Sequence, residues 1–384
     1  LSLHDALPIS PLLSTKGGQE RTLTDKANYL VGRGHQVMFV TSEHEGPLAY
    51  QLAEGVKHQD LHCHMFSLYR YPLWRRVTEA LRLKRRLRHE LQAVGGQFSP
   101  DVIVVPVPNT ENFLSDVMKV AAGVPVVVES HLAKGHSVIV RGATEKWLYR
   151  IYRPEKAIRR AALLIALTQG DAGLWKLAGT GRVEVLPNPV TCYPDRLPDV
   201  PKQQGRIIAV GRLTPQKRFD RLIDAFALIA DSHPDWHVDI FGDGEDRAKL
   251  TLQIAERGMQ GRINLHHTTN NIYSEYLTSQ FAVLSSDFEG FGLVVVEAMA
   301  CALPVVACNC PFGPADIISS GTTGLLSRLD VADLARQMEW MMTHPAERQA
   351  MGRQAREEVR RYAPRSVLPR WEQAYLSVVR TKQQ

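Results

Sequence analysis

LPNPVTCYPDRLPDVPKQQG, residues 186–205, holds five prolines and almost no apolar periodicity. Proline fixes φ and removes an amide donor, so a run this dense supports neither helix nor strand and reads as a linker. On either side of it the sequence follows the same plan. Toward the N-terminus, apolar runs at 37–41, 101–105, 124–129, 163–168 and 183–187 are separated by helical patterns near 18–32, 73–94, 110–121, 144–160 and 170–178. Toward the C-terminus, runs at 206–210, 237–241, 263–265, 281–284, 304–307 and 324–326 lie among helical patterns near 216–231, 245–257, 291–301, 330–343 and 346–361. Strands alternating with helices build parallel sheets covered on both faces. The expectation is an α/β protein of two doubly wound, Rossmann-like domains facing across a cleft. The N-terminal domain is 1–187, the linker 188–204, the C-terminal domain 205–361, and 362–384 a last helix returning to the N-terminal domain. Ligands of such sheets bind beyond the carboxyl ends of the strands.

Composition agrees with that plan. The chain has 384 residues, 44 % hydrophobic and 22 % charged, which fits about two soluble domains. No apolar run approaches the roughly 18 residues of a membrane span. Five scattered cysteines (Cys63, Cys192, Cys301, Cys308, Cys310) argue against a disulfide framework and for a reducing, cytoplasmic location. The net charge is +6, and the segment 70–90 alone carries eight basic residues against Glu79 and Glu90. The rest of the chain is balanced, unlike a nucleic-acid-binding surface. LSLHDALPIS, residues 1–10, reads as neither a signal peptide nor a strand and resembles translated sequencing adapter, so it is given no functional weight.

The chemistry concentrates in SSDFEGFGLVVVEAMACALPVV, 285–306. A strand, a glycine-rich turn and a helix follow one another, so the backbone N–H groups of Gly290, Phe291, Gly292 and Leu293 form an anion site at a helix N-terminus. Glu289 on the turn and Glu297 inside the helix accept from hydroxyls at two depths of one ligand, as a sugar nucleotide would offer. A solvated turn glutamate beside a local cap is the plain alternative. In VGRLTPQKRFDRLIDAF, 210–226, a strand delivers Gly211 and Arg212, with Lys217 at the next helix. Two cations facing an anion site can clamp a diphosphate without metal; an ordinary basic loop is the other reading.

Together with KGGQER near the start, FGDGED, and CNCPFGPADIISSGTTGLL at 308–326, these motifs resemble the retaining GT-B glycosyltransferases of family 4, of the bacterial surface-polysaccharide and lipopolysaccharide type. The resemblance runs from about Lys16 onward and is strongest over 206–330. It implies that Gly17 and Gly18 approach the donor diphosphate and the acceptor, and that Arg212 and Lys217 bind phosphate. It also implies that Glu297 holds the ribose, that Glu289 lies near the donor hexose, and that Gly242 and Gly244 pass the nucleotide. Asp243 and Glu245 read as turn or cap residues. His131 matches the family's histidine near the donor sugar, with His136 as its competitor. The first strand that should precede the Gly-Gly loop reads as missing or corrupted.

The resemblance further implies a hexose moved with retention from a nucleoside-diphosphate sugar, carrying uridine, to a surface glycan or lipid-linked acceptor. No Asp-x-Asp motif occurs, so no metal and no cofactor are expected, and leaving-group stabilisation falls to Arg212, Lys217 and the helix N-terminus. His131, Glu289, Arg212 and Lys217 are the expected catalytic set. Nucleic acid is not an expected partner. A nucleotide-sugar epimerase of the same fold, or a non-catalytic nucleotide or nucleic-acid binding protein, are the rival readings.

His58, His62, Cys63 and His64 read as a surface turn before a metal site. Cys301, Cys308 and Cys310, and the Met338, Trp340, Met341 and Met342 cluster, read as packing. In 73–94, Leu73, Val77, Ala80, Leu81, Leu87, Leu91 and Val94 fall at helical spacing with arginines between them. That helix either docks on its own domain or meets an anionic membrane face, with Tyr69, Tyr71 and Trp74 beside it.

Overall fold

The computed structural model describes residues 5–64, 72–108, 110–111, 113–132, 134, 154–191 and 193–382. The chain divides into two compact units, Leu1–Pro187 with Val367–Gln384, and Asn188–Ser366.

The N-terminal unit is built on seven strands: β1 Asp5–Ser10, β2 Gln36–Thr41, β3 Val56–Asp60, β4 Val102–Val107, β5 Val126–Ser130, β6 Leu163–Ala166 and β7 Val183–Val185. They lie parallel in the order β3-β2-β1-β4-β5-β6-β7. Its helices are α1 Gly18–Gly32, α2 Leu73–Phe98, α3 Leu114–Val120, α4 Pro154–Ile158 and α5 Gln169–Leu177. The inner strands are buried end to end, as a sheet covered on both faces requires.

Two strands depart from the expectation. The first strand is present: Asp5–Ser10 pairs with both β2 and β4 near the middle of the sheet, and Ala6, Leu7 and Ile9 are core residues. Pro8 hid it, because proline argues against a central strand. The ladder to β2 skips Leu7 and Pro8, which is where a donor would be lacking, and resumes at Ile9↔Val40. The second is β3, whose sequence VKHQD has one apolar residue; as an edge strand it needs no more. His58 therefore sits on a strand and not on a surface turn, with Nε2 2.9 Å from the Thr41 hydroxyl, and Cys63 is fully buried.

The C-terminal unit repeats the design with β8 Arg206–Val210, β9 His237–Phe241, β10 Ile263–His266, β11 Phe281–Leu284, β12 Val305–Cys308 and β13 Gly324–Ser327, in the order β10-β9-β8-β11-β12-β13. The helices are α6 Phe219–Ile229, α7 Arg247–Glu256, α8 Ile272–Thr278, α9 Leu293–Ala300, α10 Pro314–Ile317, α11 Val331–Thr343 and α12 Pro345–Val359. One face of α6, with Phe219, Leu222, Ile223 and Phe226, packs with Met338, Met341 and Met342 of α11 in a single core. Cys308 belongs to that core, and Cys301 and Cys310 are buried. The last helix, α13 Pro364–Lys382, packs from Val367 onward within the N-terminal unit, where Trp371 donates from its ring nitrogen to the Pro187 carbonyl at 2.9 Å.

Candidate active site

In the C-terminal unit the two motif loops are bolted together. Ser285 donates its hydroxyl to the Lys217 carbonyl at 2.8 Å, the Asp287 amide donates to the Gln216 carbonyl at 3.0 Å, and Gln216 Nε2 donates to the Phe288 carbonyl at 2.9 Å. Arg218 and Arg221 both grip Asp287, and Arg221 also donates to the Ser285 carbonyl at 2.8 Å. The motif reading did not single out these three residues. A visible signal was the pairing of arginines three apart with an acid two residues before Glu289.

The result is that Lys217 and Glu289 meet. The ammonium donates to Glu289 Oε1 at 2.7 Å, and Ser286 donates to the same oxygen at 2.6 Å. Lys217 is thus a paired cation, where the sequence reading had it facing phosphate alone. Its stem lies across Gly211, where an added Cβ would stand 3.4 Å from Lys217 Cε. Arg212 is exposed and has no side-chain partner among the described residues.

Backbone geometry leaves the glycine-rich turn open. Gly292 caps α9 at φ +97° with no side-chain cap. The amides of Gly290, Phe291, Gly292 and Leu293 donate to no protein acceptor among the described residues. The turn is clamped from behind: the Glu289 amide donates to Pro311, the Phe312 amide donates back to the Glu289 carbonyl, and Gly313 lies so close that a Cβ would stand 2.2 Å from the Phe291 carbonyl oxygen. One turn into α9, Glu297 accepts from the Thr191 hydroxyl at 3.0 Å and lies 3.5 Å from the Tyr276 hydroxyl.

Gly242 and Gly244 have a packing role that the sequence did not show. A Cβ on Gly242 would stand 1.9 Å from the Gly211 carbonyl oxygen, and one on Gly244 2.2 Å from that of Leu213. They let the FGDGED turn lie against the strand end that carries Arg212. Asp243 braces this turn, accepting from His267 Nδ1, the Thr268 amide and Arg247.

In the N-terminal unit, Gly17 caps α1 in extended conformation, with its amide bonded to the Thr15 carbonyl at 3.0 Å, and Gly18 begins the helix. His131 follows β5, with its amide on the Val107 carbonyl at 2.9 Å and Nε2 2.8 Å from Glu129 Oε2. Glu129 is fully buried and also accepts from the Lys26 ammonium and the Tyr375 hydroxyl. Burial alone would raise the Glu129 carboxyl, but the Lys26 charge and His131 outweigh it and bring it down to about 2. Burial lowers His131 below 6.5 despite Glu129, and lowers Lys26 as well. Lys26 sits on an otherwise apolar helix face with Leu23, Ala27 and Leu30, which was the readable sign of a buried pair. His136, Cys192, Tyr69 and Tyr71 lie outside the described residues. Among the described residues no group of three or more His, Cys, Asp or Glu is placed to hold a metal ion.

Comparison with known proteins fits both halves. Residues 17–189 match the glycosyl transferase 4-like domain, and residues 197–358 match glycosyl transferases group 1. The chain thus carries a 4-like glycosyl transferase domain followed by a group 1 glycosyl transferase domain, and its two Rossmann-like units have the GT-B fold. It is 25 % identical over 336 residues to an uncharacterized glycosyltransferase of Haemophilus influenzae, covering 87 % of this chain and 89 % of that one. It is 26 % identical over 174 residues to the poly(glycerol-phosphate) alpha-glucosyltransferase of Bacillus subtilis, covering 45 % of this chain and 26 % of that one. Several curated relatives are longer, and the match spans only 19–33 % of their length. In structure it resembles S. aureus TarM, solved with fondaparinux, alpha-GlcNAc-glycerol and UDP, at TM-score 0.78 and 13 % identity over 97 % of this chain and 99 % of that one.

Proposed function

We propose that the chain moves a hexose from a UDP-sugar, with retention and without divalent metal, to a growing surface glycan or lipid-linked acceptor at an anionic membrane face. The observation that carries this reading is the Lys217–Glu289 pair beside four unsatisfied amides, with Arg212 exposed next to it. An ammonium has three protons, so Lys217 can keep Glu289 and still donate to phosphate oxygens. Arg212 supplies a second, fixed cation, and the α9 N-terminus a dipole, so the departing diphosphate is neutralised by groups already in place. Glu297 accepts from ribose hydroxyls and Glu289 from the hexose. His131, with the Gly17–Gly18 loop, serves the donor sugar from the N-terminal unit. With no side chain cast as nucleophile, the departing phosphate takes the acceptor proton on the face it leaves, and the protein contributes position and electrostatics. UDP in the TarM structure and the poly(glycerol-phosphate) acceptor in the name of the Bacillus relative support the donor and acceptor classes.

The test is calorimetry of UDP binding. Arg212→Ala and Lys217→Ala should each weaken it by about 1.5–3 kcal/mol, the worth of a charge-assisted contact. Unchanged affinity in both variants would sink the assignment.

The membrane part rests on α2. Ala80, Leu87, Leu91, Val94 and Phe98 are buried, so one face docks on the unit's own core. The other face carries Trp74, 74 % exposed, Leu81, 54 % exposed, and the exposed Arg75, Arg82, Arg85 and Arg86. Apolar anchors among arginines fit an anionic lipid surface. Lys84 and Arg88 are already engaged with Asp116 of α3. No helix among the described residues is long and apolar enough to cross a membrane.

A further inference from the structure

Glu129, Lys26 and Tyr375 have no part in the transfer as derived above. A buried ion pair is a poor way to stabilise a fold, since well-packed apolar residues of the same volume serve as well or better. Here the pair is elaborated further: Lys26 lies 3.7 Å from the Trp371 ring centroid, and Tyr375 of α13 donates to the carboxylate's second oxygen. The remaining ligand of Glu129 is the His131 ring. An ionised carboxylate only accepts, so the His131 nitrogen facing it, Nε2, carries the proton. In a neutral ring Nδ1 then holds a lone pair, and Nδ1 has no hydrogen bond to any described residue.

We propose that Glu129, held by Lys26 and Tyr375, is a positioning residue that fixes His131 as the neutral Nε2–H tautomer and presents Nδ1 as an acceptor for a hydroxyl of the sugar substrate. This rests on the reading of His131 as a residue of the transfer site. Lys26 is essential to the device. A carboxylate alone against the ring would favour the imidazolium, which can only donate. Because the ammonium shares Glu129 Oε2 with the ring, the carboxylate is already neutralised, and burial keeps the imidazole uncharged. The final helix thereby becomes part of the site's construction, since it supplies both Tyr375 and the ring under Lys26.

The full chain, labelled with 15N-histidine, tests this by long-range 1H–15N spectra, with His131→Asn identifying the resonance. The expected wild-type result at neutral pH is a neutral ring protonated at Nε2. Lys26→Met keeps the side-chain length but frees the carboxylate, and should raise the proton affinity of His131 at least tenfold. UDP release from UDP-glucose in the presence of acceptor should then fall at lower pH and recover at higher pH, while UDP affinity is unchanged. A merely structural loss would lower turnover equally at all pH. Tyr375→Phe, a milder change should Lys26→Met fail to fold, should move the titration in the same direction. A wild-type ring protonated at Nδ1, or a titration unmoved in the variants, overturns the proposal. Turnover surviving His131→Asn would instead defeat the reading of His131 in transfer, with the tautomer result standing.

Discussion

At the scale of single residues, the site is made by groups that have little freedom. Gly313 sits at φ +117° with the Phe291 carbonyl 2.2 Å from where a Cβ would stand. Gly313→Ala should therefore cost about 1–3 kcal/mol in backbone strain and weaken UDP binding, because the displaced turn carries the four free amides. Calorimetry and thermal unfolding together check it; wild-type values in both would mean that the turn is slack. The buried cluster predicts a pH dependence. His131 titrates below 6.5, so as the pH falls under 6.5 the unfolded chain gains a proton that the folded one refuses, and stability drops. Glu129, ordinarily near 4.5 and here about 2, adds stability that is complete above 4.5 and lost as the pH falls toward 2. Denaturant unfolding of the N-terminal unit should show both stages, and His131→Asn should reduce the first, to which His58, also lowered by burial, adds the remainder. A stability flat from pH 7 to 5 would contradict this.

At the scale of elements, α2 is the one whose two faces differ most, one buried on the unit's core and the other exposed with Trp74, Leu81 and arginines. Reversing Arg82, Arg85 and Arg86 to glutamate should abolish sedimentation with anionic vesicles and leave UDP binding intact. Lys84 is kept, because its reversal would set a carboxylate against Asp116. Each basic group near an anionic surface adds roughly 1 kcal/mol, so three reversals outweigh the remaining attraction, and salt should weaken the wild-type association. A wild type that ignores anionic vesicles at low salt reduces this face to a solvated one and points to a soluble acceptor. The loop pair 215–218 and 285–289 is the opposite kind of element, a joint tied by hydrogen bonds and ion pairs from one loop to the other. Asp287→Asn should loosen both arginines and lower UDP affinity without touching the ligand, which calorimetry would register.

At the scale of the molecule, the sequence was most legible where composition and period coincide. The proline-dense 186–205 separates two alternations, and every apolar run named on either side lies on a strand. It was least legible where tertiary context overrides local signal. Pro8 is tolerated in β1 because the ladder to β2 skips its position, and VKHQD becomes a strand because an edge asks for few apolar residues. The motif residues Arg212, Lys217, Glu289 and Glu297 were readable, since glycines and charges at a strand–turn–helix junction have a direct physical meaning. Glu129 and Tyr375 were not, and Lys26 showed only as a lone cation among Leu23, Ala27 and Leu30, because its partners come from distant segments that only folding brings together.

The central claim is acceptor-dependent transfer with retention from a UDP-sugar by fixed protein cations. The most direct measurement is NMR of the product formed from an α-linked UDP-hexose and a glycan acceptor in excess chelator. The account predicts an α-linked product and UDP release that requires acceptor, at a rate close to that in magnesium. A β-linked product, donor conversion without acceptor, or activity lost in chelator and restored by manganese would each contradict it.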